Sequence, residues 1–421
     1  MQRLSFVYII LTLACCSSND KGTGNGILQN RNPNLTTISI YQPKPIDVKS
    51  LFSEIGFIKL DTAANAFMTN PSCLRVYKEH IYLCDGGPPE SVLIFDMSGA
   101  FIRRVGTIGR GPREMLTMRH IEIDYVRDRL YITDSFGRQS LSFDLEGNYL
   151  FTVPLGDYGG FIAISPLGNI VHESSSSMFG LDIKTMVQRE NIKILDTLGN
   201  LIAKGFDYNY NRSIFQEFRT LSVSKSGNIT FAPLFRDTIY SVTESSITPV
   251  YAFNFSKVKG ISKQRSDTYL SAKELTKDLE INGYVCLAGA HLDTPDVFYA
   301  QLGFSPSSSH LFYQKSTNET HIVRLYNYKF ENGVLPIKNV TLFNGTSSAL
   351  IPCNIEDYYD GHFYGVFNEV QQIILKNLNP DEGTIERQLL DSIEPEESNM
   401  YIIYLKFKNQ SGIVDFLNHS Q

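Results

Sequence analysis

One phrase recurs along this chain, and it constrains the fold more than anything else in the sequence. Leu93 to Phe101 reads as a strand, then Asp96-Met97-Ser98-Gly99, then a second strand. Leu141 to Tyr149 repeats the pattern around Asp144-Leu145-Glu146-Gly147, and Lys193 to Leu201 repeats it around Asp196-Thr197-Leu198-Gly199. In each copy the Asp can accept local backbone hydrogen bonds, and the Gly supplies the positive φ of a tight hairpin. The three aspartates are 48 and 52 residues apart. A second phrase precedes the first: His80-Ile81-Tyr82-Leu83-Cys84-Asp85 matches Arg129-Leu130-Tyr131-Ile132-Thr133-Asp134, 49 residues later. Both alternate apolar and polar side chains, as a half-buried strand does. Looser echoes follow at Lys225 to Phe231, Asp237 to Val242 and Tyr359 to Tyr364. A period near 50 residues with about four short strands per unit is the pattern of a β-propeller. One four-stranded sheet cannot bury both of its faces, whereas blades packed in a ring bury one another.

The repeat changes what the length of 421 residues means. That length alone would suggest two or three ordinary domains, but a closed ring accommodates it as one. Hydrophobic residues at 42% and charged residues at 19% fit a folded body. A net charge of −6 argues against a partner recognised through its phosphate backbone, so nucleic acid is excluded. Trp is absent, which removes the usual stacking platform of a sugar site. Two tyrosine clusters, Tyr208-Asn209-Tyr210-Asn211 and Tyr358-Tyr359, could stack on a sugar or a peptide, or could pack at a blade edge.

Two stretches interrupt the strand pattern. Ser271-Ala272-Lys273-Glu274 resembles a capping box that opens a short helix to about Ile281, with Gly283 as its stop. Gln371 to Leu378 and Thr384 to Ile393 also read as helices, separated by Asn379-Pro380. Both are expected to be insertions in or between blades.

The N-terminus reads as an address. Met1-Gln2-Arg3 is followed by an apolar run from Leu4 to Ala14 and then by Cys15-Cys16-Ser17-Ser18. The run is too short for a bilayer-spanning helix, which takes about 20 residues, and fits the apolar core of a secretory signal. Leu13-Ala14-Cys15 resembles a bacterial lipobox, with Cys15 the favoured lipidated residue and Cys16 the alternative. The Ser-, Asn- and Gly-rich tract that follows reads as a flexible tether. The expected organisation is a lipoprotein signal over residues 1–15, a tether over 16–45 and a propeller over 46–421. Cys73, Cys84, Cys286 and Cys353 form no C-x-x-C pair. Cys73 and Cys84 could face each other across a hairpin, and buried free thiols are the favoured reading.

Val105-Gly106-Thr107-Ile108-Gly109-Arg110-Gly111-Pro112-Arg113-Glu114 is the most specific segment. It resembles the Gly-Arg-Gly-Pro-Gly-Glu signature of the six-bladed β-propeller lipoproteins common in Bacteroidetes, which have TolB-like and NHL-like relatives. Pro233 to Tyr240 looks like that family's mid-chain strand pair, and Glu396 to Tyr404 looks like its closing strand, with Met400 where Pro is usual. Arg113 stands where the signature has its second Gly, so a turn there forgoes glycine's freedom at positive φ. The resemblance covers about residues 50–408. It implies an all-β fold of six four-stranded antiparallel blades with short helical insertions, although the 48–52-residue spacing alone would make seven or eight blades. It also implies a bacterial cell-envelope location, and it implies no reaction.

Each candidate site has a structural alternative. Arg110, Arg113 and Glu114 could hold a carboxylate or sulfate, with His120 joining them, or could form a turn with a local Arg–Glu pair. The turn is favoured. Asp85 and Asp134 could bind a cation such as Ca²⁺, but as residues repeated from blade to blade they are expected to cap turns. The eight histidines form no metal-binding pair, and no Gly-x-Ser-x-Gly elbow is present. The expectation is therefore a lipid-anchored binding or scaffolding propeller without a required cofactor. Its partner would be a glycan, a peptide or an envelope protein, and its membrane contact the lipid alone. The alternative is a propeller enzyme of lactonase, lyase or glycosidase type.

Overall fold

In the computed structural model the residues described are 26–408, apart from 44–46, 63–65, 69, 88–89, 157–158, 175–189, 208–218, 234–235, 262–277, 279–280, 305–306, 325, 329–339, 343–353, 368 and 394–399. The chain enters along the outside of the ring. Strands β1 (Leu28–Gln29) and β2 (Thr36–Ser39) precede helix α1 (Val48–Leu51) and strand β3 (Phe52–Lys59). The first blade then follows as β4 (Pro71–Tyr77), β5 (His80–Asp85), β6 (Ser91–Asp96) and β7 (Phe101–Val105). The second is β8 (His120–Asp124), β9 (Arg129–Asp134), β10 (Gln139–Asp144) and β11 (Tyr149–Pro154). The third is β12 (Gly159–Ile164), β13 (Ile170–Ser174), β14 (Glu190–Leu195) and β15 (Leu201–Asp207). The fourth is β16 (Leu221–Val223), β17 (Ile229–Phe231), β18 (Thr238–Val242) and β19 (Ser246–Asn254). The fifth is β20 (Val285–Asp293), β21 (Val297–Phe304), β22 (Ser307–Gln314) and β23 (Glu319–Val323). A two-stranded pair, β24 (Tyr326–Tyr328) with β25 (Val340–Leu342), leads into the sixth blade.

That blade closes the ring. β26 (Asp357–Tyr359), β27 (His362–Phe367) and β28 (Tyr401–Phe407) come from the C-terminal part of the chain, and β3 pairs antiparallel with β28 as the outer strand. The two ends of the propeller are thereby stitched in one sheet. The observed blade number is six, as the resemblance implied. The shorter period holds for the first three blades, and longer connections and helices lengthen the later ones. The helical insertion splits into α2 (Glu369–Leu378) and α3 (Ile385–Ser392), with Thr384 as the N-cap of the latter and Asn379 turning between them at φ 44°. Leu375 and Leu389 pack fully buried against Phe363, Tyr401 and Leu405 of the sixth blade. The helix expected from Ser271 lies largely outside the described residues; Gly283, its expected stop, has φ 63°.

The Asp-x-x-Gly phrases are hairpins as expected. Asp96 Oδ1 accepts from the amides of Ser98 (2.8 Å) and Ala100 (3.0 Å). Asp144 and Asp196 repeat this with Asn148 and with Leu198 and Asn200. Gly99 has φ +88°, and a Cβ there would lie 2.0 Å from the Lys59 carbonyl oxygen, so the first blade can approach the closing strand only through a glycine.

Residues 26–40, read from sequence as part of a tether, run as a strap. Gly26 bridges Lys204 of the third blade, and β1 and β2 pair parallel with β19 of the fourth. The Tyr41 hydroxyl donates to the Thr320 carbonyl of the fifth. Ile38 and Ile40 are fully buried at this edge. Their alternation with polar Thr37 and Ser39 is the strand period, and the strap thus covers the open edge of β19.

Candidate functional site in the central channel

The inner strands β4, β8, β12, β16, β20 and β26 surround the axis, and they touch in succession from β26 through β4, β8, β12 and β16 to β20. Their polar side chains meet there. Arg75, in the middle of β4, grips Glu122, in the middle of β8, through Nε–Oε1 and Nη2–Oε2, both 2.9 Å. Both side chains are essentially inaccessible, at 0% and 1%. This is the bidentate fork that a guanidinium and a carboxylate favour. Burial alone would raise the Glu122 carboxyl, but Arg75 holds it well below the usual carboxylate range.

Above this pair lies a thiol. Arg75 Nη1 donates to Cys73 Sγ at 3.5 Å and to the Leu74 carbonyl at 2.7 Å. Cys73 Sγ lies 3.5 Å from His120 Nδ1, and His120 Nε2 lies 3.7 Å from Glu122 Oε2. Phe161 packs edge-on against the imidazole at 5.0 Å. Arg219, just before β16, donates to the carbonyls of Leu221 and Glu356 and sets Nη2 3.6 Å from Glu122. The Glu356 carboxyl accepts from the Leu74 amide at 2.7 Å. Burial works to raise the Cys73 thiol, but Arg75, then His120 and Arg219, outweigh it and bring the thiol down to about 6. Burial, with the Cys73 charge next, pushes the Glu356 carboxyl up to about 8.

The other end of the channel is filled. Lys225, in the β16–β17 hairpin, places its ammonium on both oxygens of Asp357 (3.0 and 2.9 Å), on the Tyr125 hydroxyl (2.9 Å) and on the Val76 carbonyl (3.1 Å). It also sits 4.3 Å over the Tyr125 ring. Tyr77 packs on Tyr125 and donates to Asp128 at 2.9 Å. Burial lowers the Lys225 ammonium, with Asp357 opposing the shift.

The residues singled out from sequence fall in other places. Glu114 accepts from the Gly111 amide at 2.6 Å within its own turn. Arg110 and Arg113 are exposed; Arg113 takes φ 68° and lies 4.9 Å over the Tyr149 ring. His120 leaves this loop and joins the channel. Asp134 accepts from the amides of Leu116, Thr117 and Gly137 at 2.9–3.1 Å, and Asp85 from those of Asn70 and Gly87. Among the described residues no group of three or more His, Cys, Asp or Glu is placed to hold a metal ion. Cys73 and Cys84 are register partners across the first hairpin, and both are free thiols. Tyr358 packs on Phe363, and Tyr359 lies near the Lys225 ammonium. Cys15, Cys16, Cys353 and the Tyr208–Asn211 cluster lie outside the described residues. A cleft of about 340 Å³ between the strap and the fifth blade is lined by Thr36, Thr37, Ser39, Tyr313, Asn318 and Thr320, with no carboxylate, imidazole or thiol.

Sequence reasoning missed Arg75, Glu122, Arg219, Lys225, Glu356 and Asp357. A signal for one of them, Glu122, was present. His120-Ile121-Glu122-Ile123-Asp124 alternates as a surface strand would, yet it opens a blade, where the alternating face turns to the channel rather than to solvent.

A ring of six four-stranded blades around a buried, charged channel defines a six-bladed β-propeller. The chain belongs to the family described as a domain of unknown function, DUF4934, whose model matches residues 35–406. Among solved structures it is similar to the putative exported protein BF0058 of Bacteroides fragilis NCTC 9343. The two share 16% identity over 89% of this chain and all of that one, with a TM-score of 0.66. A member of the DUF4221 family from Bacteroides vulgatus ATCC 8482 is 10% identical over 85% of this chain and 97% of its own, with a TM-score of 0.51. No curated protein matches the chain.

Proposed function

We propose that this propeller is an exported, lipid-anchored envelope protein that binds a carboxylate-bearing ligand, an acidic glycan or peptide, at the Arg219 end of its channel. The observation that carries the reading is the unequal use of the channel cations. Arg75 and Lys225 each grip a carboxylate with close contacts. Arg219 keeps 13% of its side chain accessible, and its Nη2 stops 3.6 Å short of Glu122. That guanidinium edge is available for a further carboxylate, in a setting where charge-assisted bonds are strong. Titration calorimetry against acidic oligosaccharides and acidic peptides tests this. Arg219→Gln should weaken a bound ligand at least about tenfold, by the 1.5–3 kcal/mol of a charged hydrogen bond. Equal binding by the variant would sink the site.

The location rests on the N-terminal sequence and on the exported neighbour. No helix among the described residues is long and apolar enough to cross a membrane. With Cys15 or Cys16 lipidated, the ten or so residues before the strap begins at Gly26 would reach at most about 36 Å. Labelling cells with a palmitate analogue, with Cys15 and Cys16 each replaced by Ser, tests the anchor; no incorporation in the wild type would refute it. A second reading, a propeller enzyme, is favoured by the convergence of His120 and Glu122 beside Cys73. Turnover of a lactone or a glycoside that is lost in His120→Ala would establish it.

A further inference from the structure

The ligand reading leaves Cys73 unused. Three free thiols are described, all buried: Cys73, Cys84 and Cys286. Burial pushes the Cys84 and Cys286 thiols up. Cys73 differs in having an imidazole nitrogen and a guanidinium nitrogen each 3.5 Å from its sulfur. On the far side of the imidazole, His120 Nε2 makes no hydrogen bond and faces Glu122 Oε2 at 3.7 Å. Thiol, imidazole and carboxylate in that order form the arrangement that activates a cysteine. Cys73 is 6% exposed, which limits its reagents to small ones. Cys84 is its register partner on β5. Directly opposed residues of an antiparallel pair have Cα atoms about 4.5–5.5 Å apart, within the span of a disulfide.

We propose that Cys73 is a peroxide-reactive thiol and that Cys84 is the second thiol that captures it once oxidised. In the first step the Cys73 sulfur attacks one oxygen of hydrogen peroxide. The S–O bond forms as the O–O bond breaks, and two electrons pass from sulfur to peroxide. The proton held by the Cys73–His120 pair goes to the departing hydroxide, which leaves as water. Cys73 is then a sulfenic acid. In the second step the Cys84 sulfur attacks that of Cys73. The S–S bond forms, the S–O bond breaks, and the Cys84 proton leaves with the hydroxyl as a second water.

The titratable and charged groups around the sulfur come from five elements: Arg75 on its own strand, Cys84 on β5, His120 and Glu122 on β8, Arg219 ahead of β16 and Glu356 ahead of β26. Their balance, with the thiol at about 6, sets the pH profile. The rate should rise through pH 6 and level off, whereas an ordinary thiol continues to gain up to pH 8–9.

The test uses the full chain, reduced, then exposed to hydrogen peroxide with dimedone and read by peptide mass spectrometry. The wild type should form a Cys73–Cys84 disulfide. Cys84→Ser should carry the dimedone adduct on Cys73, and Cys73→Ser should form neither product. His120→Ala should slow the reaction about tenfold at pH 7. Oxidation of Cys73 no faster than that of Cys286 would overturn the proposal, and a stable sulfenic acid in the wild type would overturn the part given to Cys84. If His120→Ala does not fold, the wild-type pH profile decides, because a rate that climbs through pH 8–9 contradicts an activated Cys73.

Discussion

The two ends of the channel are built from the same residue types to opposite effect. At one end Lys225, Asp357, Tyr125 and Tyr77 close on one another: every charge has a partner within 3.0 Å, and an ammonium sits on an aromatic face. At the other end Cys73, His120, Arg219 and Glu356 gather at longer distances, 3.5–3.7 Å for the key pairs, and the Cys73 thiol and Glu356 carboxyl are displaced from their ordinary ranges. The fully buried Arg75–Glu122 fork separates them. Satisfied charges make a plug, and incompletely satisfied ones make a site. The difference arises from where each residue stands on its strand. Lys225 reaches back over the axis from the β16–β17 hairpin, whereas Cys73 and His120 stand on β4 and β8, where the sheet fixes their positions.

The largest effect should come from breaking the fork. Glu122→Ala leaves Arg75 buried without its partner and should cost about 3–5 kcal/mol in denaturant unfolding. The double variant Arg75→Met, Glu122→Leu should recover most of that, because a buried ion pair roughly matches apolar residues of similar volume. If the double variant is as unstable as the single, the fork contributes more than charge balance. Lys225→Met should cost less, about 2 kcal/mol. Its own side chain is 25% exposed, and the Asp357 carboxylate it abandons still accepts from the Val76 amide at 2.7 Å. A larger loss than for Glu122→Ala would reverse the ranking of the two ends.

The protonation contrast predicts a pH signature. The Cys73 thiol is lowered on folding, from near 9 to about 6. Its contribution is therefore complete above pH 9 and is lost as the pH falls through 6. Wild type should be no more stable than Cys73→Ser at pH 5.5, and more stable by about 2–4 kcal/mol near pH 9. Glu356 is raised, from 4.5 to about 8. Its contribution is complete below pH 4.5 and is lost as the pH rises through 8. Glu356→Gln should thus gain on the wild type across that window, by about 1–3 kcal/mol at its upper end. Thermal melts from pH 5 to 9 read both trends, and parallel curves for all three proteins would remove the coupling.

What could be read in the sequence was whatever repeats. The Asp96, Asp144 and Asp196 hairpins and the strands that end at Asp85 and Asp134 were legible, because local hydrogen bonding and positive φ leave a short-range signature. The channel was not. Glu122 meets Arg75 across 47 residues, Lys225 meets Asp357 across 132, and Leu74 meets Glu356 across 282. No local pattern encodes such pairings, and a polar residue alternating on an inner strand looks the same as one facing water. The strap escaped notice for a related reason. Thr36 to Ile40 has strand character, but its partner on β19 is 215 residues away, Thr36 pairing with Tyr251.

The smallest predicted effect tests the segment that looked most functional. Arg113 holds φ 68°, a region that costs a residue with a Cβ about 1 kcal/mol or more, where glycine pays nothing. Against that strain stands its contact over the Tyr149 ring at 4.9 Å, worth about 0.5–1 kcal/mol at an exposed site. Arg113→Gly should therefore leave stability within about 0.5 kcal/mol of wild type, whereas Arg113→Ala keeps the strain, loses the contact and should be the less stable of the two. Neither should alter binding at the Arg219 end, since the loop is tied to itself through Glu114 and Gly111. If Arg113→Gly abolished ligand binding while melting normally, the turn would be a recognition element, and the contrast between a sealed and an available end of the channel would have to include the loop that leads into β8.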